Sequence, residues 1–183
     1  MRRAFLILAL LLCVPAAAQE PRTFAWKVND ANAPPNPAQA SKGGFGVMML
    51  VTSDYVGFWE AWEGDTPPKV TATEEVARDR PVHGILLFSG CRPGQDGNCN
   101  VTAELSITGP DGSPYSETMS GKVWGGAPAP GYNLQASESS IGFTLDPEDP
   151  LGVYTLKAMV RDNVAGTKLA VQQSVTAVDA AAE

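Results

Sequence analysis

The chain has 183 residues, 44% of them hydrophobic and 18% charged, with 20 acidic against 13 basic side chains and a formal net charge of −7. That length supports one domain with a substantial core. The acidic balance repels phosphate backbones and anionic head groups, which sets aside nucleic acid as a partner and polybasic membrane contact as a role.

In chain order, Arg2 and Arg3 precede an apolar run from Ala4 to Val14 and the small residues Ala16, Ala17 and Ala18. This is the layout of a secretory signal peptide, residues 1–18, cut after Ala18. Cys13 is read as lost with it, because Leu12 stands where a bacterial lipoprotein signal carries a small residue. No later stretch is apolar for long enough to cross a bilayer as a helix. The expectation is an exported chain, periplasmic or extracellular, and not an integral membrane protein.

Phe24, Trp26 and Val28 alternate with Thr23, Ala25 and Lys27, a short strand pattern. Pro34, Pro35 and Pro37 follow and oppose regular structure, so residues 19–44 are predicted to form a strand-like arm on a Pro-rich linker. FGVMMLVT, residues 45–52, reads as a buried strand that opens a domain over 45–178. In SDYVGFWEAWEG, Ser53 is predicted to cap a short helix that places Phe58 and Trp62 on one face, leaves Trp59 pointing away and stops at Gly64. From Lys69 onward the pattern is strand. Val82 to Ser89 is apolar on both faces; Val101, Ala103, Leu105 and Ile107 alternate with polar residues, as do Ile141, Phe143 and Leu145, and Tyr154, Leu156, Ala158 and Val160. Gly109 to Gly112 supplies a turn, Asp162 to Gly166 a hairpin into a last strand with Leu169, Val171 and Val175, and residues 179–183 a frayed tail. The fold class expected is all-β: an antiparallel β-sandwich with one short helix and an N-terminal extended arm.

The loop CRPGQDGNC places Cys91 and Cys99 together. In an oxidising compartment that spacing predicts a disulfide. Zinc wants four ligands, and His83, the only other soft donor, lies in a different segment. Asp96, Asn98 and Asn100 match the start of a calcium loop, but Val101 and Ile107 stand where Gly and Glu belong. A redox centre calls for closer Cys-x-x-Cys spacing. No metal and no cofactor is therefore assigned. Asn100-Val101-Thr102 is a formal N-glycosylation acceptor.

The last third resembles the closing strand pair of an immunoglobulin-like sandwich. Gly152-Val153-Tyr154 is similar to the tyrosine corner, with the usual Asp displaced to Asp149, and Leu156 stands where an antibody domain carries its second inter-sheet cysteine. With the signal and the cysteine loop leading into NVTAELSITGPDG, residues 69–178 also resemble uncharacterised secreted proteins of proteobacteria. The resemblance implies fold and location and transfers no catalytic residue.

Catalytic material is sparse. His83 is the single histidine and shares a strand face with Ile85 and Leu87, the setting of a packed histidine. No Gly-x-Ser-x-Gly elbow, P-loop, dinucleotide fingerprint or His-Glu-x-x-His helix is present. Glu60, Glu63 and Asp65 beside Trp59 and Trp62 read either as the solvated face of a helix or as a sugar-cleaving pair. Asp146, Glu148 and Asp149 read as turn carboxylates or a weak calcium site. Phe58, Trp59, Trp62, Trp124 and Tyr132 either plug the sandwich or face a ligand. Three functions follow: a non-enzymatic binding module for a protein or glycan of the cell envelope, assembly by strand addition of the Phe24, Trp26 and Val28 arm, and a carboxylate-based glycan-active enzyme.

Overall fold

The computed structural model describes residues 24–28, 31–63, 72–130 and 133–179. The expected signal peptide, Gly64, Asp65, Tyr132 and the tail from residue 180 lie outside the described residues, as does the side chain of Val28. In chain order the elements are β1 (Lys27–Val28), β2 (Ala31–Asn32), β3 (Gln39–Lys42), β4 (Phe45–Thr52), α1 (Tyr55–Trp62), β5 (Glu75–Ala77), β6 (Pro81–Ser89), β7 (Val101–Thr108), β8 (Met119–Trp124), β9 (Gln135–Thr144), β10 (Gly152–Asp162) and β11 (Thr167–Val178).

Two sheets face each other, one in the order β3-β4-β6-β9 and the other in the order β5-β11-β10-β7-β8. Pairing is antiparallel throughout the two sheets except for β5, which runs parallel to β11 from Thr176 opposite Glu75 to Val178 opposite Ala77. The order is that of an immunoglobulin-like sandwich: β4, β6 and β9 stand as strands A, B and E, and β11, β10 and β7 as G, F and C, with β8 extending the second sheet.

Alternation in the sequence produces this arrangement. Along β10, Tyr154, Leu156, Ala158 and Val160 are buried while Val153, Lys157, Met159 and Arg161 are exposed, so one face of the strand goes to the core and the other to water. Leu156 faces Gly84 of β6, where a Cβ would come within 2.8 Å of Leu156 Cδ2. An apolar side chain filling a glycine notch thus joins the sheets at the place where antibody domains use a disulfide. Tyr154 completes the tyrosine corner: its hydroxyl donates to Pro150 O at 2.9 Å, and burial raises its pKa.

β6 is apolar on both faces because both are covered. Val82, Leu86 and Phe88 enter the main core, whereas Ile85 and Leu87 belong to a second cluster beneath α1. The sheet takes in Gln39–Lys42, assigned to the linker from sequence: the prolines end at Pro37, and residues 39–42 pair with Met48 to Phe45. β9 begins six residues before Ile141. A register shift opposite Ile85 and Leu87 masks its period, and there the buried Ser137 Oγ accepts from Leu86 N at 3.3 Å and donates to Ser139 O at 2.6 Å. The helix is capped by Asp54 rather than Ser53, since Asp54 Oδ1 accepts from Gly57 N at 2.9 Å. Ser53 instead donates its backbone N–H to Thr73 Oγ1.

Candidate functional site

Three connections meet at one end of the sandwich: the β6–β7 loop of residues 90–100, the start of the β8–β9 loop and the β10–β11 hairpin of residues 163–166. Cys91 and Cys99, both buried, are bonded with sulfurs 2.07 Å apart. Between them Gly94 N donates to Asn98 O at 2.8 Å and Gly97 N to Gly94 O at 3.1 Å, and Gly97 takes a φ of 82° that favours glycine. Asp96 accepts from the Asn98 backbone N–H at 3.1 Å and from its amide at 3.2 Å, bonds that hold its carboxyl below the usual range. The oxygens that suggested a calcium loop thus close an Asx turn. Among the described residues no three His, Cys, Asp or Glu side chains come together as a metal set.

The three connections are wired to one another. Asp162, the last residue of β10, is fully buried. Its Oδ2 accepts from Arg92 N at 2.8 Å in the cysteine loop, and its Oδ1 from Val164 N at 3.0 Å and Ala165 N at 3.1 Å in the hairpin. One side chain thereby satisfies three backbone donors that would otherwise lack a partner at this end. Asn163 reaches across to Asn100 Oδ1 at 3.0 Å and Thr102 Oγ1 at 3.1 Å, and Cys99 N donates to Gly126 O at 2.8 Å. Trp124 closes this end: its Nε1 donates to Ala127 O at 3.0 Å and its ring packs 6.5 Å from Phe88. Arg92, Gln95, Asn100 and Val164 stand exposed on the frame so formed. From sequence Asp162 was one more polar turn residue; nothing in the pattern separates a buried carboxylate from an exposed one.

The aromatic residues of α1 have a different fate. Tyr55, Phe58, Trp59 and Trp62 fall at i, i+3, i+4 and i+7, one helical face, and all pack on Leu50, Ile85, Leu87 and Ala136. Phe58 is buried, stacked on Trp62 at 5.5 Å and edge-on to Trp59 at 5.1 Å. Trp59, expected to point away, is half-buried with its Nε1 shielded and without a partner among the described residues. The four-residue spacing from Tyr55 outweighs its offset from Phe58. Val56, 67% exposed, and Glu60 and Glu63 take the solvent side. His83 lies under the helix, stacked on Tyr55 at 4.2 Å, and desolvation lowers its pKa.

At the opposite end of the sandwich Tyr115 donates to Asp149 Oδ2 at 2.6 Å, and Asp149 Oδ2 also accepts from Asp146 N at 2.7 Å. Burial first, then the bond to Asp149, raise the Tyr115 pKa. Asp149 is therefore a turn carboxylate engaged by protein groups. Among the described residues the N-terminal arm pairs with no strand of the sandwich: β1 pairs with β2 alone, and Phe24 and Trp26 lie against β3 and β4.

No known protein family and no curated protein matches the chain. Among solved structures it is similar to a CARDB domain from Pyrococcus furiosus determined in complex with di-metal ions, at 11% identity and a TM-score of 0.40 over 73% of this chain and 94% of that one. It is also similar to a family 123 glycoside hydrolase from Clostridium perfringens studied for glycolipid glycan hydrolysis, at 8% identity and a TM-score of 0.43 over 73% of this chain. The match spans 27% of that enzyme's chain, and neither likeness transfers a residue or an activity.

Proposed function

We propose that the chain is an exported, non-catalytic binding module of the cell envelope that presents its disulfide end to a protein or glycan partner. One observation carries this reading: three connections are fixed to each other through Asp162, Asn163 and the bond from Cys99 N to Gly126 O, one of them is closed on itself by the Cys91–Cys99 bond, and their outer residues stay exposed. Surface held in place before contact loses little conformational entropy on binding, which favours affinity without chemistry. In immunoglobulin-like variable domains the connections at one end of the sandwich form the recognition surface. Export is read from the signal peptide and the disulfide. The glycan-hydrolase alternative is weaker: Glu60 and Glu63 are exposed on a short helix whose aromatic face is turned to the sheet.

The test is a glycan array together with in-cell cross-linking from Gln95 to envelope proteins, followed by a quantitative assay on the ligand found. Replacing Arg92→Glu and Val164→Arg is expected to weaken binding at least tenfold while leaving the melting temperature near that of the parent. Unchanged affinity in those variants refutes the loop end as the surface.

A further inference from the structure

The outer face of the four-stranded sheet is covered in two pieces. α1 lies over the end where Thr52 pairs with His83, and the arm lies over the end where Gly46 pairs with Ser89. The arm has a fitted seat. The Phe24 ring occupies the space that any side chain at Gly46 would need, Phe24 N donates to Gly43 O at 2.7 Å, and Trp26 Nε1 donates to Ala40 O at 3.1 Å. The two rings meet edge to face at 5.0 Å. Gly46 and Ala40 thus supply a notch and an acceptor for an extended aromatic segment.

The arm is nevertheless a separate small unit. Its two strands form a sheet of their own, with no ladder to either sandwich sheet among the described residues. The link behind it carries Pro34 and Pro35, which are exposed and have no N–H to donate, and the chain is pinned to the sandwich from Pro37, whose carbonyl accepts from Gln172 N at 2.8 Å, and Ala38, which is buried and whose carbonyl accepts from Met49 N at 2.8 Å.

We propose that the seat over Gly46 is an exchangeable docking site, and that the segment occupying it between molecules is the arm of a second copy of this chain, carried by its Phe24 and Trp26. Every copy carries the same Phe24, Trp26 and seat, so the contacts made within one molecule are reproduced between two. What distinguishes the states is the tether, which holds its own arm at an effective concentration in the millimolar range. Exchange is therefore rare in dilute solution and grows with concentration or when the internal arm is displaced. The extended link spans about 3 Å per residue, so residues 33–36 allow a reach of about 12 Å to a neighbour's seat. Reciprocal exchange closes a two-fold dimer.

Complementary lesions test this. Gly46→Leu blocks the seat and keeps the arm; the double change Phe24→Ala, Trp26→Ala disables the arm and keeps the seat. Each variant alone is expected to run as a monomer by light scattering, and their mixture near millimolar concentration to give a species of twice the protomer mass. A mixture that stays monomeric overturns the proposal and leaves the arm as an internal cover. If Gly46→Leu does not fold, a labelled peptide of residues 19–33 is titrated onto the arm-disabled full chain. Saturable binding, lost when Gly46→Ala is added, supports the exchangeable seat; no binding overturns it.

Discussion

The disulfide end and the α1 face are built from opposite materials. At the disulfide end polar groups and a covalent bond hold exposed loops: a buried carboxylate collects three backbone N–H groups, and one asparagine bridges two segments. Under α1, four aromatic residues press on an apolar sheet face, and two polar atoms, Trp59 Nε1 and His83 Nδ1, are buried without a partner among the described residues. The aromatic-rich stretch therefore resembles a ligand site in composition but serves as a second core. The loop that is poor in aromatics is the one with a rigid, accessible surface.

If this contrast is right, damage to one region leaves the other intact. The largest expected effect is Phe58→Ala, which removes the one fully buried side chain of α1 and costs about 3–5 kcal/mol. Hydrogen exchange is expected to rise in α1 and at Leu50 and Leu87, and to stay unchanged at Arg92 and Val164. Next comes Asp162→Ala, which strands three backbone donors at the edge of the core and costs about 2–4 kcal/mol. For a chain of this size each kcal/mol lowers the melting temperature by about 2–4 °C. The exchange pattern is expected to invert, with Arg92, Val164 and Ala165 exposed and α1 quiet. Independent regions also predict that the double variant is additive to within about 0.5 kcal/mol. A larger coupling breaks the comparison and makes the sandwich one cooperative block.

Replacing both Cys91 and Cys99 by Ser sharpens the contrast from the other side. Closing a ring of nine residues stabilises by about 2.5 kcal/mol through lost freedom of the unfolded chain. Urea unfolding is expected to report about that loss, while the Asp162 bonds keep the hairpin in place. Affinity for the partner of the disulfide end is expected to fall more steeply than for any single change on α1.

Period-two strands such as β7 and β10 were legible in sequence because each buries one face, and their alternation is the direct record of that burial. β8 left no such record. Val123 is its one buried residue, and Met119, Ser120, Gly121 and Lys122 are all exposed at a sheet edge. β5, three residues long, is specified by docking along β11 rather than by its own pattern. The disulfide was readable from the spacing of Cys91 and Cys99 within one loop. Asp162 was not, because a hairpin Asp has the same local signature whether its carboxylate faces water or three amides. Trp59 was misplaced by setting it apart from the face of Phe58 and Trp62; beginning the helical count at Tyr55 puts it on the covered face.

The smallest expected effect concerns pH and belongs to the α1 face alone. His83 sits between Tyr55 and the sheet, and desolvation lowers its pKa from the ordinary 6.5. In the unfolded chain the imidazole binds a proton near that value, whereas in the folded chain it binds one only at lower pH. Between the two values the unfolded state holds more protons, so stability rises with pH there. The stabilisation is complete above about 6.5, declines as the pH falls below it and levels off under the folded value. The lowered carboxyls of Asp96 and Asp111 act below the ordinary 3.8 and contribute nothing in this interval. His83 is half-buried, so water screens part of the penalty and the slope is expected to be shallower than any effect above. Urea unfolding at pH 7.5 and pH 5 is expected to show a modest loss at the lower value that His83→Phe abolishes, with hydrogen exchange rising in α1 and not at the disulfide end. A loss that persists in His83→Phe assigns the titration elsewhere and removes the histidine from the account of how α1 is held.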